Sequence, residues 1–325
     1  MILFVTTAAH RYTLRSLVGG TFGAEVPECD AVSYEQLFAA TTLPTATYVF
    51  TDFDRLFPWE VMIAAEMYRR LRDRAMRCLN DPARVMGRFE LLRALHDRGY
   101  NPFDAYRADE RPRPRRFPVF LRGENDHVAP RPALLRDQPE LERALERRRA
   151  AGIPLHGLLV VEFAGEPIAP GVWRKFGTFR TGEAMSVSHA VVTDRWVVKG
   201  VAPAGLLTAA MLREELAVVT TNVHAARLRT AFEIAGIEWG RADHATFAGR
   251  EIVYEINTNP TMRPFVPVGS PERDEALLRS RRRMAGHLHA IDTPPGPAIA
   301  LDVGPQLERY RTAMRRLGGT ALPRP

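Results

Sequence analysis

The chain has 325 residues, 46% hydrophobic and 26% charged, an ordinary globular composition with room for two domains or three small ones. The net charge is +7, but acidic residues are interspersed throughout and the sharpest basic run, Arg111 to Arg116, is broken by Pro112 and Pro114, which argues against a nucleic-acid surface. No apolar run reaches the roughly 18–20 residues of a membrane helix, Met1 to Val5 has no signal-peptide pattern, and Cys29 and Cys78 show no metal or redox spacing. The expectation is a reduced, cytoplasmic protein with no membrane partner.

Residues 1–82 alternate strand and helix, which predicts a small parallel-sheet domain. Ile2 to Thr6 reads as a strand. Ser33 caps a helix to Ala40, with Gln36 completing a capping box. Thr47 to Thr51 is a second strand. Pro58 opens a helix to about Arg77, and Cys78-Leu79 is a short third strand. Asp81-Pro82 marks a boundary.

The next region, 83–265, opens with a helix from Arg84 to Arg98, stopped by Gly99. Tyr100 to Arg116 is polar and proline-rich, so it is expected to be a loop. Phe117 to Leu121 is a strand, Pro139 to Ala150 a helix and Gly157 to Phe163 an apolar strand. Strands follow at Val172 to Arg180, Ala184 to Val192 and Trp196 to Lys199. Helices span Leu206 to Val218 and Asn222 to Ile234, and a strand pair spans Ile237 to Asn257. Residues 266–325 form a third region, with helices from Ser270 to His289 and from Pro305 to Leu317 and a loose tail. These two helices would cover a site or form a homodimer contact.

Lysine is nearly absent. Of 45 Lys and Arg residues, only Lys175 and Lys199 are lysine. Both fall in the strand-rich middle, where a compact ammonium cannot be exchanged for a planar fork. The plainer reading is two edge-strand lysines that discourage aggregation.

The densest signal lies at Arg241-Ala242-Asp243 and Glu255-Ile256-Asn257, with Ala248-Gly249-Arg250 as a turn between them. A hairpin centred on Gly249 sets Asp243 opposite Glu255 and Arg241 opposite Asn257. Residues two apart on a strand share a face, so four polar groups converge. Ile252, Tyr254 and Ile256 would point to the other face. Two carboxylates and an amide oxygen suit a hard divalent cation such as Mg²⁺. Arg241 cannot bind metal but can stabilise a phosphoryl group or an oxyanion.

This pattern resembles the ATP-grasp enzymes, whose carboxylate–amine ligases carry an Arg-x-Asp strand and then a Glu-x-Asn strand ending in a proline turn, here Asn259-Pro260. The resemblance implies an α/β (α+β) ATP-grasp fold with a small Rossmann-like N-terminal domain. It implies ATP and Mg²⁺ as cofactors, with Asp243, Glu255 and Asn257 holding the metal and Arg241 stabilising the tetrahedral species. Phe117 to Arg122 is similar to the strand bearing the phosphate-binding lysine, with Arg122 in its place. Leu159 to Phe163 is similar to the hinge strand that holds adenine through its backbone, with Glu162 or Glu166 on the ribose. Lys175 and Lys199 would contact phosphates or the acyl group, Lys199 taking part in catalysis. The loop Gly123-Glu124-Asn125-Asp126-His127 departs from the family, having one glycine and two acids where phosphates are expected.

The implied activity is an ATP-dependent ligase that activates a substrate carboxylate, on a small molecule or peptide, as an acyl phosphate for attack by an amine or other nucleophile. The alternatives are a kinase on the same fold, forming a phosphate ester, and an inactive nucleotide-binding regulator or scaffold, which the altered loop favours. His127 is a weaker candidate general base. His189 alternates with apolar neighbours and reads as a satisfied core histidine.

Overall fold

The computed structural model describes residues 1–126, 133–300, 302 and 304–316. The N-terminal part contains β1 (Ile2–Thr6), α1 (Arg15–Val18), β2 (Cys29–Ser33), α2 (Tyr34–Ala39), β3 (Thr42–Leu43), β4 (Thr47–Phe50), α3 (Pro58–Asp73) and β5 (Cys78–Leu79). Four of these strands form a parallel sheet in the order β2-β1-β4-β5. Every residue of β1 and β4 is buried, as a parallel sheet covered on both faces requires. The Ser33–Gln36 capping box forms as expected. Pro58 opens α3, but the helix stops at Asp73 because Ala75 turns left-handed at φ 58°.

Alternation along β1 feeds two cores. Leu3 and Val5 pack with Tyr34, Phe38, Met67 and Leu71 from the helices. Ile2 and Phe4 face the other way, onto Phe179, Trp239, Met284 and Leu288. The second face of the parallel sheet is therefore covered by later parts of the chain, and the Phe4 and Trp239 rings lie 5.0 Å apart.

Next come α4 (Arg88–Asp97), β6 (Ala105–Arg107), β7 (Val119–Gly123), α5 (Gln138–Ala150) and β8 (Leu158–Glu162). They build an antiparallel sheet in the order β6-β8-β7. The expected loop from Tyr100 to Arg116 thus contains a strand. At three residues, β6 is too short to show alternation, and pairing with the apolar β8 forms it.

A four-stranded antiparallel sheet follows, ordered β10-β9-β11-β12, from β9 (Trp173–Thr181), β10 (Ala184–Thr193), β11 (Trp239–Phe247) and β12 (Arg250–Asn257). Between β10 and β11 lie α6 (Ala209–Thr221) and α7 (Ala225–Ala235). Trp196 to Lys199 is not a strand. The Trp196 ring leaves the sheet to pack against Phe120, at 5.2 Å, and Phe163, at 5.3 Å, on the facing sheet.

The chain ends with α8 (Pro271–Ile291), β13 (Ile299–Ala300) and α9 (Pro305–Arg316). Helix α8 packs on β9, β10 and α6, and α9 on α2 and α3, while β13 pairs with β3. Both helices act as covering layers of this chain's own core. No described helix is long and apolar enough to cross a membrane.

Candidate active site

The β11–β12 hairpin sets Asp243 opposite Glu255 and Arg241 opposite Asn257, in the expected register. The route to that register differs from simple symmetry about Gly249. The turn has two residues, Ala248 and Gly249, with φ of 49° and 73°, a handedness that matches the strand twist. A bulge at Tyr254 then adds one residue to β12 between the Asp243–Glu255 and His244–Val253 pairs. The bulge also divides the apolar side chains expected on one face. Ile256 packs with Ala242 and Val253, whereas Ile252 and Tyr254 pack with Phe103, Leu159 and Val161 of the facing sheet.

Cations crowd the two carboxylates. Lys175 Nζ lies 2.6 Å from Asp243 Oδ2, and Arg241 Nε donates to Asp243 Oδ1 at 3.2 Å. Arg88 and Arg122 both donate to Glu255 Oε2, at 2.7 and 2.5 Å. Burial pushes the Asp243 carboxyl up, but Arg241 and Lys175 outweigh it and hold it below the usual range. Burial does the same at Glu255, where Arg122, Arg88 and Lys175 hold the carboxyl well below the usual range. Both groups are ionised at neutral pH, as cation ligands must be. Lys199 is pushed down by burial and by Arg122, Lys175 and Arg88, against the pull of Glu255. Asn257 Oδ1 accepts the Asn259 N–H at 2.9 Å, leaving its second lone pair for a further contact.

A cleft lies between the three- and four-stranded sheets, and Arg122, Lys175, Lys199, Asp243 and Glu255 all line it. The cleft is also lined by a cluster of aromatic rings, Phe120, Phe163, Trp173 and Trp196. An apolar slot beside a cationic pocket suits a flat base carrying phosphates.

The hinge residues divide. The Phe163 N–H is taken by the Pro118 carbonyl at 2.9 Å, so only its carbonyl remains for a base edge. The Glu162 carboxylate accepts from the Asp104, Arg115 and Arg116 backbone N–H groups and from the Tyr106 hydroxyl. Three of these donors meet Oε1 and one, the Asp104 N–H, meets Oε2. Glu162 therefore anchors the segment around β6, and it also lines the cleft beside Phe163. Glu166 is exposed at the cleft wall, with one long contact, from the Ala248 N–H at 3.3 Å.

The acidic loop is partly explained by β6. Arg107 Nη1 lies 2.9 Å from Glu124 Oε2, which neutralises one of the two acids. Asp126 lines the cleft, and His127 lies outside the described residues. His189, expected in the core, is half-buried beside Ser188. Burial, then Arg241 and Arg273, push its imidazole down to about 3, so it is neutral.

Two contributors carry no sequence signal. Arg88 opens α4, and its guanidinium also donates to the carbonyls of Gly123 and Glu124. Gly177 pairs with Asp243 on β9, and a Cβ there would lie 3.1 Å from Arg241 Cδ. Neither has a motif, because both act through partners far away in the chain.

The chain has the ATP-grasp fold. It is similar to the ATP-grasp ligase PsnB, solved with a phosphomimetic variant of a minimal precursor, Mg and ADP. The TM-score is 0.52, with 13% identity over 89% of this chain and 96% of that one. D-cycloserine synthetase DcsG gives a TM-score of 0.47 with 16% identity, covering 89% of this chain and 100% of that one. A D-alanine–D-alanine ligase from Bacillus anthracis gives 0.47 with 11% identity, covering 90% and 97%. No protein-family model matches the sequence, and neither does any curated protein.

Proposed function

We propose that the protein is an ATP-dependent ligase that activates a substrate carboxylate and joins it to an amine or other nucleophile. The observation that carries this reading is the pairing of Asp243 and Glu255 on one sheet face, ringed by Arg88, Arg122, Lys175, Lys199 and Arg241, beside an aromatic cleft. Asp126 and Glu166 also line the cleft, but the five cations gather at the Asp243–Glu255 pair, and that local concentration suits a polyphosphate. The fold it shares with PsnB, whose structure holds Mg and ADP, supports the same ligands here.

The donor set fits magnesium. Asp243, Glu255 and the free lone pair of Asn257 Oδ1 are hard oxygen ligands. When bound, the ion would offset charge on the phosphate oxygens. Lys175, Arg88 and Arg122, which the carboxylates now hold, would turn to the phosphates. Lys199 stands on a bent segment over the cleft, and its ammonium adds to that cradle. Phosphoryl transfer is mostly positioning and charge neutralisation, and these side chains supply both. The γ-phosphoryl group passes to the substrate carboxylate and ADP leaves. The nucleophile then attacks the acyl carbon and inorganic phosphate departs. Arg241, already on Asp243, is placed to stabilise the tetrahedral oxyanion. Phe163 and the rings around it would hold the base, and Glu166 the ribose. We assign residues 1–82 to an N-terminal domain, 83–265 to the nucleotide-binding region and 266–325 to the C-terminal cover. A cytoplasmic setting suits the two buried free thiols.

The test is calorimetric titration of ATP with magnesium and with chelator, followed by a screen of carboxylate and amine pairs for phosphate release. Release that needs both partners and yields an amide supports the ligase. A stable phosphate ester would make the protein a kinase, and no ATP binding in either condition would overturn the site. Lys199→Ala should lower turnover well below wild type without lowering the thermal midpoint.

A further inference from the structure

The opposite face of the four-stranded sheet carries a second cluster of ligand-type groups. His244 follows Asp243 on β11 and so points away from the cleft. Its Nδ1 meets Glu251 Oε1 on β12, and His224 Nδ1 lies 2.9 Å from the other carboxylate oxygen, Oε2. His224 immediately precedes α7. The three ligand atoms all lie within 4.8 Å of one another, so closing to the roughly 3.4 Å between tetrahedral ligands of one zinc ion needs at most a shift of about 1.4 Å. The side chains of His244, Glu251 and His224 are only 0%, 5% and 14% exposed.

We propose that His224, His244 and Glu251 form a binding site for a divalent transition-metal ion, best suited to zinc, with a fourth position open to water. Two imidazole nitrogens and one carboxylate oxygen are a borderline donor set that favours zinc over magnesium. The surroundings match those of metal ligands. His244 Nε2 lies 2.9 Å from Thr178 Oγ1, which fixes the ring with Nδ1 toward Glu251. The Phe176 ring packs against both imidazoles, at 4.9 and 5.9 Å. Glu251 also lines an open surface groove beside Tyr100 and Arg250, which gives an ion a way in. With neutral imidazoles the cluster carries one negative charge, which a divalent ion offsets. The ion would tie the start of α7 to the hairpin that carries Asp243 and Glu255.

The test is cobalt titration of the full chain, stripped with chelator and then held in excess magnesium. The expected result is visible absorption saturating at one equivalent, displaced by zinc, together with a thermal midpoint raised by zinc. Glu251→Gln and His224→Asn should each weaken cobalt binding at least tenfold, while Glu255→Gln leaves it unchanged. His224 lies outside every strand, so His224→Asn decides the matter if Glu251→Gln fails to fold. Cobalt binding that is absent, that is unchanged in folded His224→Asn, or that is lost in folded Glu255→Gln would overturn the site.

Discussion

The Arg122 guanidinium lies 2.5 Å from Glu255 Oε2, and Arg88 reaches the same oxygen at 2.7 Å. Two guanidinium groups share one oxygen only because that carboxylate is charged. Their like charges would otherwise repel, with little water to screen them. Glu255 thus holds the two arginines together and, on the proposed reading, would also offer a ligand to a cation. Glu255→Gln removes both. The variant should be less stable than wild type when free, and metal-free ATP should restore more of its stability than it does for wild type. The gain in ATP affinity on adding magnesium should shrink at least tenfold. Titration with magnesium and with chelator measures that gain directly, and an unchanged gain would remove Glu255 from the metal site.

Glu162 and Glu166 are four residues apart and differ in what their carboxylates touch. Glu162 is buried with four donors around it. Glu162→Ala strands those donors, each at about 1–3 kcal/mol where water cannot replace the carboxylate. The expected loss of stability is about 3 kcal/mol or more, read by urea denaturation. Glu166→Ala should leave stability within about 0.5 kcal/mol, as for most surface substitutions, and weaken ATP more than a nucleotide lacking ribose hydroxyls. A stable Glu162→Ala variant with weakened ATP binding would reverse the two assignments.

The hairpin was legible in the sequence because its information is local. Counting outward from a hairpin centred on Gly249 pairs Arg241 with Asn257 and Asp243 with Glu255, although the two-residue turn alone would pair Asp243 with Tyr254 and only the bulge restores the counted register. The bulge at Tyr254 was not legible, because it depends on Tyr254 turning toward Phe103, just before β6 of the other sheet. Strand β6 and the bend at Trp196 were missed for the same reason. Each is set by contact with a distant partner, β8 in one case and Phe120 with Phe163 in the other. Glu162 shows the limit at a single residue. Its place in a hinge-like strand was readable, whereas the four donors come from residues 104 to 116, a stretch that reads as loop.

Gly177 tests how tightly Arg241 is held. Its missing side chain leaves room for Arg241, since a Cβ would sit 3.1 Å from Arg241 Cδ and 3.3 Å from Ser188 Oγ. Both distances are tighter than ordinary contact, and Gly177→Ala should push the guanidinium off Asp243. Displacing a transition-state group by about 1 Å can cost up to ~100-fold in rate. The expected result is a kcat reduced at least tenfold with little change in the KM for ATP. Equal effects on kcat and on thermal stability would mean that the glycine serves packing alone.

His189 supplies a pH test with a defined sign. Burial and the charges of Arg241 and Arg273 push its imidazole from the ordinary 6.5 down to about 3. The unfolded chain therefore takes up a proton near 6.5, while the folded chain resists until about 3. Between those values the unfolded state binds more protons, so acid favours unfolding and stability rises with pH across the window. One such group contributes a slope of at most ~1.4 kcal/mol per pH unit, less where water reaches the ring. His189→Gln removes that slope. At pH 7.5 the variant should match wild type or fall below it, having lost a ring that contacts Ser188. As pH falls from 6.5 toward 4 its stability should decline less steeply, so that the gap closes and then reverses. Urea denaturation at half-unit pH steps reads this difference. Parallel stability curves across the window would show that His189 keeps an ordinary affinity for protons and that Arg241 does not reach it.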